Sequence, residues 1–532
     1  MASSVAYAQT DPGSIERTIP KFDVKPADKQ PRVPDPALPS QDGGRVAGTF
    51  VLGAVNIDGA TIFTSEQLAA SFEPFLASEV GQAELEQIAD DITERYRRAG
   101  YLLSYAVVPE QSVQSGIIRI KVVEGYIAKV RLKGDTRAGA AASGIAERLG
   151  AERPLRTASL ERALGLARDI PGVIVSDTRI SRSPGDPSRH ELTITLGRHR
   201  VRSLVYSDNR GTIEGARLRG YSSFSLPSLV LPGDQLQIDL FTIPSNKFRF
   251  FYGQAKASVP IDPSGLRLSV SGSYADQLQR VDGPNQRGKS RLLVAELSYP
   301  LLESRAFSLA GHLSLGDWKS ENERNGISKQ RDRLQVARGW LELSRVSKSR
   351  LEGRIGISHG LDLWSATRAG DPLASRPGAG GKFTKFNAEA QAASRLTKRL
   401  LLRVTAAGQY STKPLLTPEE FALGGSRIGR AFDFNDVTGD HGVGAMVEIS
   451  NRLGDIKRGP QALEIFTFVD GGGAFRKEKS PGLPKEQWLA SAGAGARFSA
   501  LGLTWSGEIG VPVARSHANR DIRAFFSVAK SY

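Results

Sequence analysis

The sequence contains no cysteine among its 532 residues, and this absence limits its possible chemistry. Without thiols there is no disulfide framework, no thiolate metal site and no cysteine nucleophile. Only six histidines are present, and no HExxH arrangement occurs, so the sequence does not predict a catalytic zinc site. We therefore predict no catalytic residues, no metal and no cofactor, and we do not expect an enzyme.

Long hydrophobic runs are missing as well. No window holds about 18 consecutive apolar residues, the length that suggests a helical membrane span. The hydrophobic content of 40 % does not exclude a membrane protein. In a transmembrane barrel, lipid-facing and lumen-facing residues alternate, so their hydropathies cancel.

Positive charge exceeds negative charge, with 71 Lys and Arg against 56 Asp and Glu, which gives a net charge of +15. Such an excess can indicate nucleic acid, anionic lipid or an acidic partner. The basic residues are scattered and no recognised nucleic-acid-binding module is present. Charges on turns and inside a lumen fit this distribution better, so we predict no nucleic-acid partner.

The first 46 residues are polar and rich in proline. Ala6-Tyr7-Ala8 resembles a signal-peptide cleavage site, although no basic start or apolar stretch precedes it. Residues 1–8 are interpreted as a signal-peptide remnant; a start codon misplaced upstream or an engineered start would explain them equally well. Seven prolines in residues 9–46 leave room for one short helix near Ser14–Thr18, followed by an extended linker.

Two α+β units are predicted next. Residues 47–125 read as a strand, two helices with apolar stripes and further strands, and Gly100 ends the second helix. Residues 126–200 repeat this β-α-α-β-β order with little sequence identity, and Pro171-Gly172 ends their second helix. The repetition predicts two domains of one type.

From residue 201 to 532, apolar and polar residues alternate in segments of about ten residues, the length with which a tilted strand crosses a bilayer. We predict sixteen strands, and an even number allows an antiparallel barrel to close. They begin near residues 201, 216, 234, 246, 266, 291, 305, 331, 350, 383, 399, 441, 462, 487, 502 and 522.

The connections between these strands alternate in length. Tight turns alternate with long polar segments at 280–290, 319–330, 364–382 and 413–440. Bacterial barrels have this asymmetry, with short periplasmic turns and long outer loops. The predicted fold is therefore a transmembrane β-barrel of 16 antiparallel strands, preceded by two α+β domains and a short plug helix. A soluble β-sandwich is the alternative, because its strands also alternate.

The longest predicted outer loop carries the most informative motif, LLTPEEFALGGSRIGRAFDFNDVTGDHG, at residues 415–442. Gly424 and Gly425 permit a backbone hairpin, and Arg430 places a planar cation beside Phe432. A guanidinium buried in a pore needs a carboxylate partner.

The strand FTFVDGGGAF at residues 466–475 offers that carboxylate. If Val469 and its aliphatic neighbours meet lipid, Asp470 points into the lumen. A charge facing lipid would cost about 2–4 kcal/mol near the midplane, so this direction is forced in a barrel. We therefore predict that Arg430 and Asp470 pair the loop with the barrel wall.

Both segments resemble motifs of the outer-membrane assembly and secretion superfamily: its sixth-loop motif, usually written V-R-G-F or V-R-G-Y, and its partner strand. The chain departs from the motif at residues 428–432, where a valine and a glycine would flank the arginine. The departure concerns the backbone turn after the arginine, not the charge pairing. The matching residues are Gly424, Gly425, Arg430, Ala431, Phe432, Gly439, Asp440 and Gly442 in the loop, and Phe468, Asp470 and Gly471 in the strand.

Residues 96–134 look like the first polypeptide-transport-associated (POTRA) domain of two-partner secretion transporters of the haemolysin and filamentous-haemagglutinin type. The spacing of the GY, P-x-Q and VxEG motifs carries this resemblance, and LERALGLARDIPG resembles a helix of the second such domain. The short helix and linker also match these transporters, in which the helix plugs the barrel. The matching residues are Gly100, Tyr101, Pro109, Gln111, Gly116, Glu124 and Gly125.

The resemblance implies a Gram-negative outer-membrane protein with periplasmic POTRA domains. These domains would bind the secretion signal of a large unfolded exoprotein, along a strand edge or in a strand-helix groove. The exoprotein, an adhesin or a cytolysin for example, would thread through the barrel without ATP, and the sixth loop would set the open or occluded form. Outer-membrane lipid and lipopolysaccharide are the other expected partners, and the protein is expected to be a monomer.

Three other functions stay open. An outer-membrane assembly factor would insert other barrels, but the two POTRA-like domains, the plug-like N-terminus and the VPEQ region disfavour it. A passive porin would not explain the N-terminal domains. For a soluble enzyme, GISHG at residues 356–360 matches the nucleophile elbow G-x-S-x-G, which requires a strand turning into a helix. Here Ser358 and His359 are predicted at a strand end before a polar loop.

Overall fold

The computed structural model describes residues 46, 48–113, 115–211, 217–245, 248–280, 285–363, 365–454, 461–478, 484–515 and 521–532. The predicted signal remnant and the plug helix with nearly all of its linker lie outside these residues. The chain divides into an N-terminal unit ending at His199 and a C-terminal unit beginning at Arg200. In the part of the chain that is described, no helix is long and apolar enough to span a membrane.

The N-terminal unit begins with a module that we call the first module, residues 50–125. Its second helix turns an apolar stripe, which includes Leu85, Ile88 and Ile92, onto the central strand of a small sheet, where Ile118 and Ile120 are also buried. The elements are β1 (Phe50–Val51), β2 (Ala54–Asp58), α1 (Ser65–Ala69), a 3-10 turn (Glu73–Phe75), β3 (Glu79–Val80), α2 (Gln82–Arg98), β4 (Tyr105–Val107) and β5 (Ile117–Val123).

The second module, residues 126–198, has the same topology. In each module the last strand is central, parallel to the first strand and antiparallel to the remaining one, in the orders β2-β5-β4 and β6-β8-β7. The predicted β-α-α-β-β order is therefore present twice, and only the small β1-β3 sheet was not predicted. The elements are β6 (Tyr126–Gly134), α3 (Thr136–Gly150), α4 (Thr157–Asp169), β7 (Val173–Arg182) and β8 (Arg189–Arg198).

The C-terminal unit is a closed antiparallel barrel of sixteen strands, as predicted. Two short strands, β20 (Phe421–Leu423) and β21 (Val437–Gly439), form a separate hairpin inside one loop. The barrel strands are β9 (Arg202–Asp208), β10 (Arg219–Pro227), β11 (Gln235–Ile243), β12 (Phe248–Pro260), β13 (Arg267–Gln279), β14 (Gln286–Glu303), β15 (Phe307–Arg324), β16 (Ile327–Val346), β17 (Ser349–Leu361), β18 (Thr384–Arg395), β19 (Leu400–Ser411), β22 (His441–Gly454), β23 (Gln461–Phe475), β24 (Glu486–Ala500), β25 (Leu503–Arg515) and β26 (Arg523–Ser531).

The alternation of side chains along these strands follows the prediction. On β23, Ile465 and Val469 are 44 % and 64 % exposed on the outer face, whereas Phe468 and Asp470 are buried on the inner face. Outward aliphatic residues and inward polar residues are what a barrel in a bilayer requires. Every predicted strand start lies within about five residues of the observed one, because the repeat of two is strict inside the bilayer.

Two outer connections differ from the prediction. The polar segment 319–330 is largely a hairpin, closed by Asn325 and Gly326 at φ 51° and 76°. Asn-Gly is a preferred type I′ turn, and the polar residues beside it pair across the two strands above the bilayer. Similarly, β14 begins at Gln286, inside the predicted loop 280–290. Polarity alone therefore does not separate loops from strands that extend into water.

The serine of the GISHG segment is not a nucleophile elbow. Ser358 lies three residues before the end of β17, and its hydroxyl accepts a hydrogen bond from Arg338 at 3.1 Å. No helix follows this strand among the described residues, so the geometry that the motif requires is missing.

Candidate functional site: a loop held inside the barrel

The predicted sixth loop folds into the barrel. We call residues 412–440, between β19 and β22, loop 6. Its 3-10 turn (Thr417–Glu419) and the β20-β21 hairpin are packed among buried residues, and Leu415 and Ala431 are 0 % exposed. A loop of this length normally lies at the surface, where water satisfies its backbone. Specific partners inside the lumen must therefore satisfy it.

Glycines shape the tip of loop 6. Gly424, Gly425 and Gly429 have φ of 106°, 102° and 84°, a region that favours glycine. A Cβ atom on Gly424 would lie 2.0 Å from the carbonyl oxygen of Asp433. The Phe432 N–H donates to the Gly429 carbonyl at 2.9 Å, which closes a turn around the arginine.

This turn explains the departure from the superfamily motif. The residue with positive φ stands before Arg430, at Gly429, whereas Ala431 is not among the residues with positive φ. Alanine after the arginine therefore carries no backbone strain. The sequence is compatible with a tight turn at Arg430 even though the usual glycine is replaced.

Arg430 and Asp470 meet, but not as the predicted ion pair. The Asp470 carboxylate accepts the backbone N–H of Arg430 at 3.0 Å and the hydroxyl of Ser491. The guanidinium of Arg430 instead bonds to Glu448 at 2.7 Å and to Glu508. The predicted side-chain pairing is thus wrong. The physical reason is that Asp470 is occupied by backbone and hydroxyl donors, while Glu448 of β22 and Glu508 of β25 reach the guanidinium.

The arginine is part of a buried charge network on β19 and β22–β25. Arg430 is 4 % exposed, and its guanidinium lies 4.0 Å from the ring centre of Phe468. Glu448, 1 % exposed, also bonds to Arg497 at 2.7 Å and to Arg403 at 2.8 Å. Buried charges of this kind are tolerated only when they are paired and hydrogen-bonded, as here.

A fourth arginine approaches from the first outer loop. Arg210 pairs with Glu508 and donates to the backbone carbonyl of Arg430 at 3.1 Å. Its guanidinium stands 3.8 Å from the ring centre of Phe525 on β26. Arg430 therefore holds loop 6 in two ways, through its backbone carbonyl and through its side chain.

Asp440 anchors the base of loop 6. Its carboxylate, 0 % exposed, pairs with Arg376 of the preceding outer loop at 2.6 Å and accepts the backbone N–H groups of Leu415 and Lys477 at 2.7 and 2.9 Å. The flanking glycines allow the close packing: a Cβ on Gly439 would lie 2.7 Å from backbone atoms of Phe475. A Cβ on Gly442 would lie 1.9 Å from the ring of Phe421, and one on Gly471 would lie 2.8 Å from the carbonyl oxygen of Leu489.

The middle of loop 6 is fixed to the barrel wall as well. Glu419 bonds to Arg338 of β16 at 2.5 Å and to Lys385 of β18 at 2.8 Å. Ion pairs thus attach loop 6 to the barrel at its base, its middle and its tip. Its partners come from strands and loops that are distant in sequence, so loop 6 connects several separate parts of the barrel wall.

Reasoning from the sequence missed Glu448, Glu508, Arg210 and Arg376. A signal existed for the two glutamates: Glu448 stands at an inward position between the outward Val447 and Ile449, and Glu508 precedes the outward Ile509. An isolated carboxylate on a lumen-facing register marks a candidate partner for a loop cation. Nothing local indicates Arg210 or Arg376, which lie in outer loops.

The residues of the GY, P-x-Q and VxEG motifs make contacts that hold the first module together. Gly100, at φ 88°, ends α2, and its carbonyl accepts the N–H of Thr157 at 2.7 Å. Gly125 accepts the N–H of Leu155 at 3.0 Å, and a Cβ there would lie 2.4 Å from the Leu103 carbonyl oxygen. These glycines therefore join the two modules of the N-terminal unit.

The P-x-Q motif extends the sheet of the first module. The amide of Gln111 accepts the N–H of Arg119 and donates to its carbonyl, both at 2.8 Å, and it also donates to the Pro109 carbonyl at 3.3 Å. Tyr101 donates its N–H to the Tyr96 carbonyl at 2.9 Å. Gly116, at φ 69°, would place a Cβ 2.4 Å from the Val51 carbonyl oxygen.

Glu124 holds three parts of the first module together. Its carboxylate accepts the N–H groups of Thr61 and Ile62, at 2.7 and 3.0 Å, and the hydroxyl of Tyr96 at 2.7 Å. Burial acts to raise the pKa of Glu124, but the hydrogen bonds from Thr61, Tyr96 and Ile62 outweigh it and lower the pKa. The glutamate of the VxEG motif therefore has a structural role here.

A pH dependence follows from the lowered pKa of Glu124. Its contribution to stability is present above its ordinary value of 4.5 and is lost as the pH falls through the lower folded-state value. At pH 7, Glu124→Gln is expected to lower the stability of the first module by about 1 kcal/mol, because the amide keeps one acceptor oxygen but loses the charge that strengthens these hydrogen bonds. Hydrogen exchange of the α2 and β5 amides in the full chain measures this. Below pH 4 the difference from wild type should shrink, and a difference that grows instead would contradict the assignment.

The geometry defines the class of protein: an outer-membrane β-barrel transporter with an N-terminal periplasmic part, whose lumen holds an ion-paired sixth loop. Residues 192–498 match the model of the haemolysin secretion/activation protein family ShlB/FhaC/HecB, and residues 50–125 match the ShlB-type POTRA domain. The chain belongs to this ShlB/FhaC/HecB family of two-partner secretion transporters.

Relatives agree with this assignment. The heme/hemopexin transporter protein HuxB of Haemophilus influenzae is 24 % identical over 476 residues, covering 85 % of this chain and 80 % of HuxB. The outer membrane transporter CdiB of Escherichia coli is 22 % identical over 482 residues, covering 86 % of this chain and 78 % of CdiB. The solved structure of CdiB from Escherichia coli superposes with a TM-score of 0.75 at 19 % identity and covers 94 % of each chain.

Proposed function

We propose that this chain exports one large, unfolded protein across the outer membrane, and that its two modules act as POTRA domains that recognise the secretion signal. The domain boundaries that go with this proposal are residues 47–125, 126–200 and 201–532. The observation that carries it is a closed barrel whose lumen contains a loop held through buried ion pairs. A passive porin needs an open lumen. A loop that several ion pairs hold inside the lumen instead suits a gated channel, because noncovalent attachments can be released.

The open edge of β7 is the proposed contact for the secretion signal. In the described residues β7 pairs on one side with β8, and it runs for ten residues, Val173–Arg182. An extended peptide can add to such an edge through main-chain hydrogen bonds, which demand little of its sequence. By contrast, the corresponding edge strand of the first module, β4, has three residues.

The class of cargo follows from the relatives only in general terms. HuxB is named for heme/hemopexin transport, and members of this family export large exoproteins. We propose an exoprotein of that kind, such as an adhesin or a cytolysin, as the cargo of this chain. Outer-membrane lipid and lipopolysaccharide would surround a monomeric barrel.

Transport without ATP is testable with purified components. The full chain is placed in liposomes, and the unfolded exoprotein is added outside without nucleotide. We expect protease-protected exoprotein to accumulate inside vesicles whose POTRA domains face outward. Protection that requires ATP, or that occurs equally in vesicles without the chain, would contradict the proposal.

A further inference from the structure

Loop 6 leaves a cavity on one side of the lumen. The cavity has a volume of about 620 Å³ and lies between loop 6 and strands β12, β14–β16, β18 and β19. Arg430, in contrast, is attached to β22, β23 and β25. Cavities of about 300–1,000 Å³ are the range in which proteins bind ligands.

One wall of this cavity is aliphatic. We call Leu292 and Val294 of β14 with Leu334 and Val336 of β16 the apolar lane; Gly316 of β15 lies between the two pairs and also lines the cavity. Leu292 and Val294 face the lumen, because Leu293 between them is 63 % exposed on the outer face. Leu334 and Val336 are 1 % and 3 % exposed and line the same cavity. Lumen-facing residues of transport barrels are usually polar. An aliphatic surface there is unfavourable whenever water contacts it.

The apolar lane continues towards the outer opening of the barrel. Leu334 and Val336 pack in one cluster with Trp318, Leu415 and Leu416, the last two from loop 6. The indole N–H of Trp318, a side chain that is 7 % exposed and lines the cavity, has no hydrogen-bond partner in the described part of the chain. The lane, which spans β14 to β16, therefore meets the buried leucines of loop 6, and a donor without a partner stands beside it.

The other side of the cavity is polar. Asn387 and Glu389 of β18 and Gln409 of β19 line it, and Asn387 donates to Gln409 at 2.9 Å. Arg427 of loop 6 reaches Glu389 at 3.2 Å. The space thus has an aliphatic wall and a hydrogen-bonding wall.

We propose that the apolar lane binds extended segments of the exported protein as they pass through the barrel. An extended chain presents side chains to opposite faces with a period of two, so alternate apolar residues can pack on the lane while polar groups face β18 and β19. A passing segment replaces the aliphatic cover that loop 6 supplies at rest. This inference rests on the proposed function. It specifies which side of the lumen the exported chain passes along.

Photo-crosslinking in exporting cells tests the lane. A photoreactive residue replaces Val336, and a matched one replaces Ser223, a lumen-facing position on β10 outside the cavity lining. The probe is the exoprotein that disappears from the supernatant when the gene is deleted. We expect its crosslink to position 336 to exceed that to position 223 at least about fivefold. Equal crosslinking, or crosslinking of position 336 to residues 9–46 of this chain instead, would overturn the proposal.

A second pair of variants measures the consequence for export. Val336→Asp should lower export of the same exoprotein about tenfold at an unchanged amount of folded barrel, whereas Ser223→Asp should leave it nearly unchanged. Equal effects of the two variants, or full export by Val336→Asp, would refute the lane while leaving the proposed function standing. If wild-type cells export no such protein, the proposed function fails first.

Discussion

Arg430→Ala is expected to free the tip of loop 6 and to raise the open fraction of the purified barrel about 100-fold. The substitution removes the cation from Glu448 and Glu508, which are both buried. Breaking a buried ion pair costs about 3–5 kcal/mol. The lower figure applies, because Arg497 and Arg210 still neutralise the two glutamates. Since about 1.4 kcal/mol is a factor of ten, 3 kcal/mol shifts the loop equilibrium by about two orders of magnitude.

Single-channel recording in planar bilayers measures this open fraction. Arg403→Ala is the matched control, because Arg403 bonds to Glu448 and Glu464 but contacts no described residue of loop 6 through these bonds. Arg430→Lys should lie between wild type and Arg430→Ala, since an ammonium group cannot reproduce the guanidinium fork. Indistinguishable conductance of the Arg430→Ala and Arg403→Ala proteins would show that Arg430 does not hold the loop.

Locking loop 6 to the barrel wall is expected to abolish export. A Cβ placed on Gly510 of β25 would lie 3.1 Å from the Cβ of Ala431, close enough for an engineered disulfide after a small backbone shift. The chain has no cysteine of its own, so Ala431→Cys with Gly510→Cys can form one bridge only. If the exported chain must displace loop 6, the oxidised double variant should secrete less than about one tenth of the wild-type amount.

Reduction of the bridge provides the internal control. Adding a membrane-permeable reductant should restore secretion, and each single cysteine variant should secrete normally. If the fully oxidised double variant secreted as much as wild type, loop 6 would not have to move during export. The apolar lane would then have to carry the chain past a docked loop.

The barrel could be predicted from the sequence because the bilayer imposes one rule on every strand. On β23, for example, the alternation of Ile465, Val469 and Asp470 sets which face meets lipid. That rule ends where the strands leave the bilayer. The hairpin closed at Asn325 and Gly326 is polar on both faces, so its pattern does not distinguish strand from loop.

The site was predicted only in part. The direction of Asp470 into the lumen and its proximity to Arg430 follow from alternation and from the superfamily resemblance. The partner of the guanidinium does not, because several carboxylates face the same lumen. Which of them it reaches depends on how deep the loop descends, and this depth is set by attachments such as Asp440 to Arg376 that join segments far apart in sequence.

The central claim is export of one large protein, and comparing culture supernatants of cells with and without this gene tests it most directly. Other outer-membrane barrels are quantified in the same cells. The account predicts that one large exoprotein is lost while the other barrels stay at normal levels. A general fall in outer-membrane barrels, with no single exoprotein missing, would contradict it and would indicate an assembly factor instead.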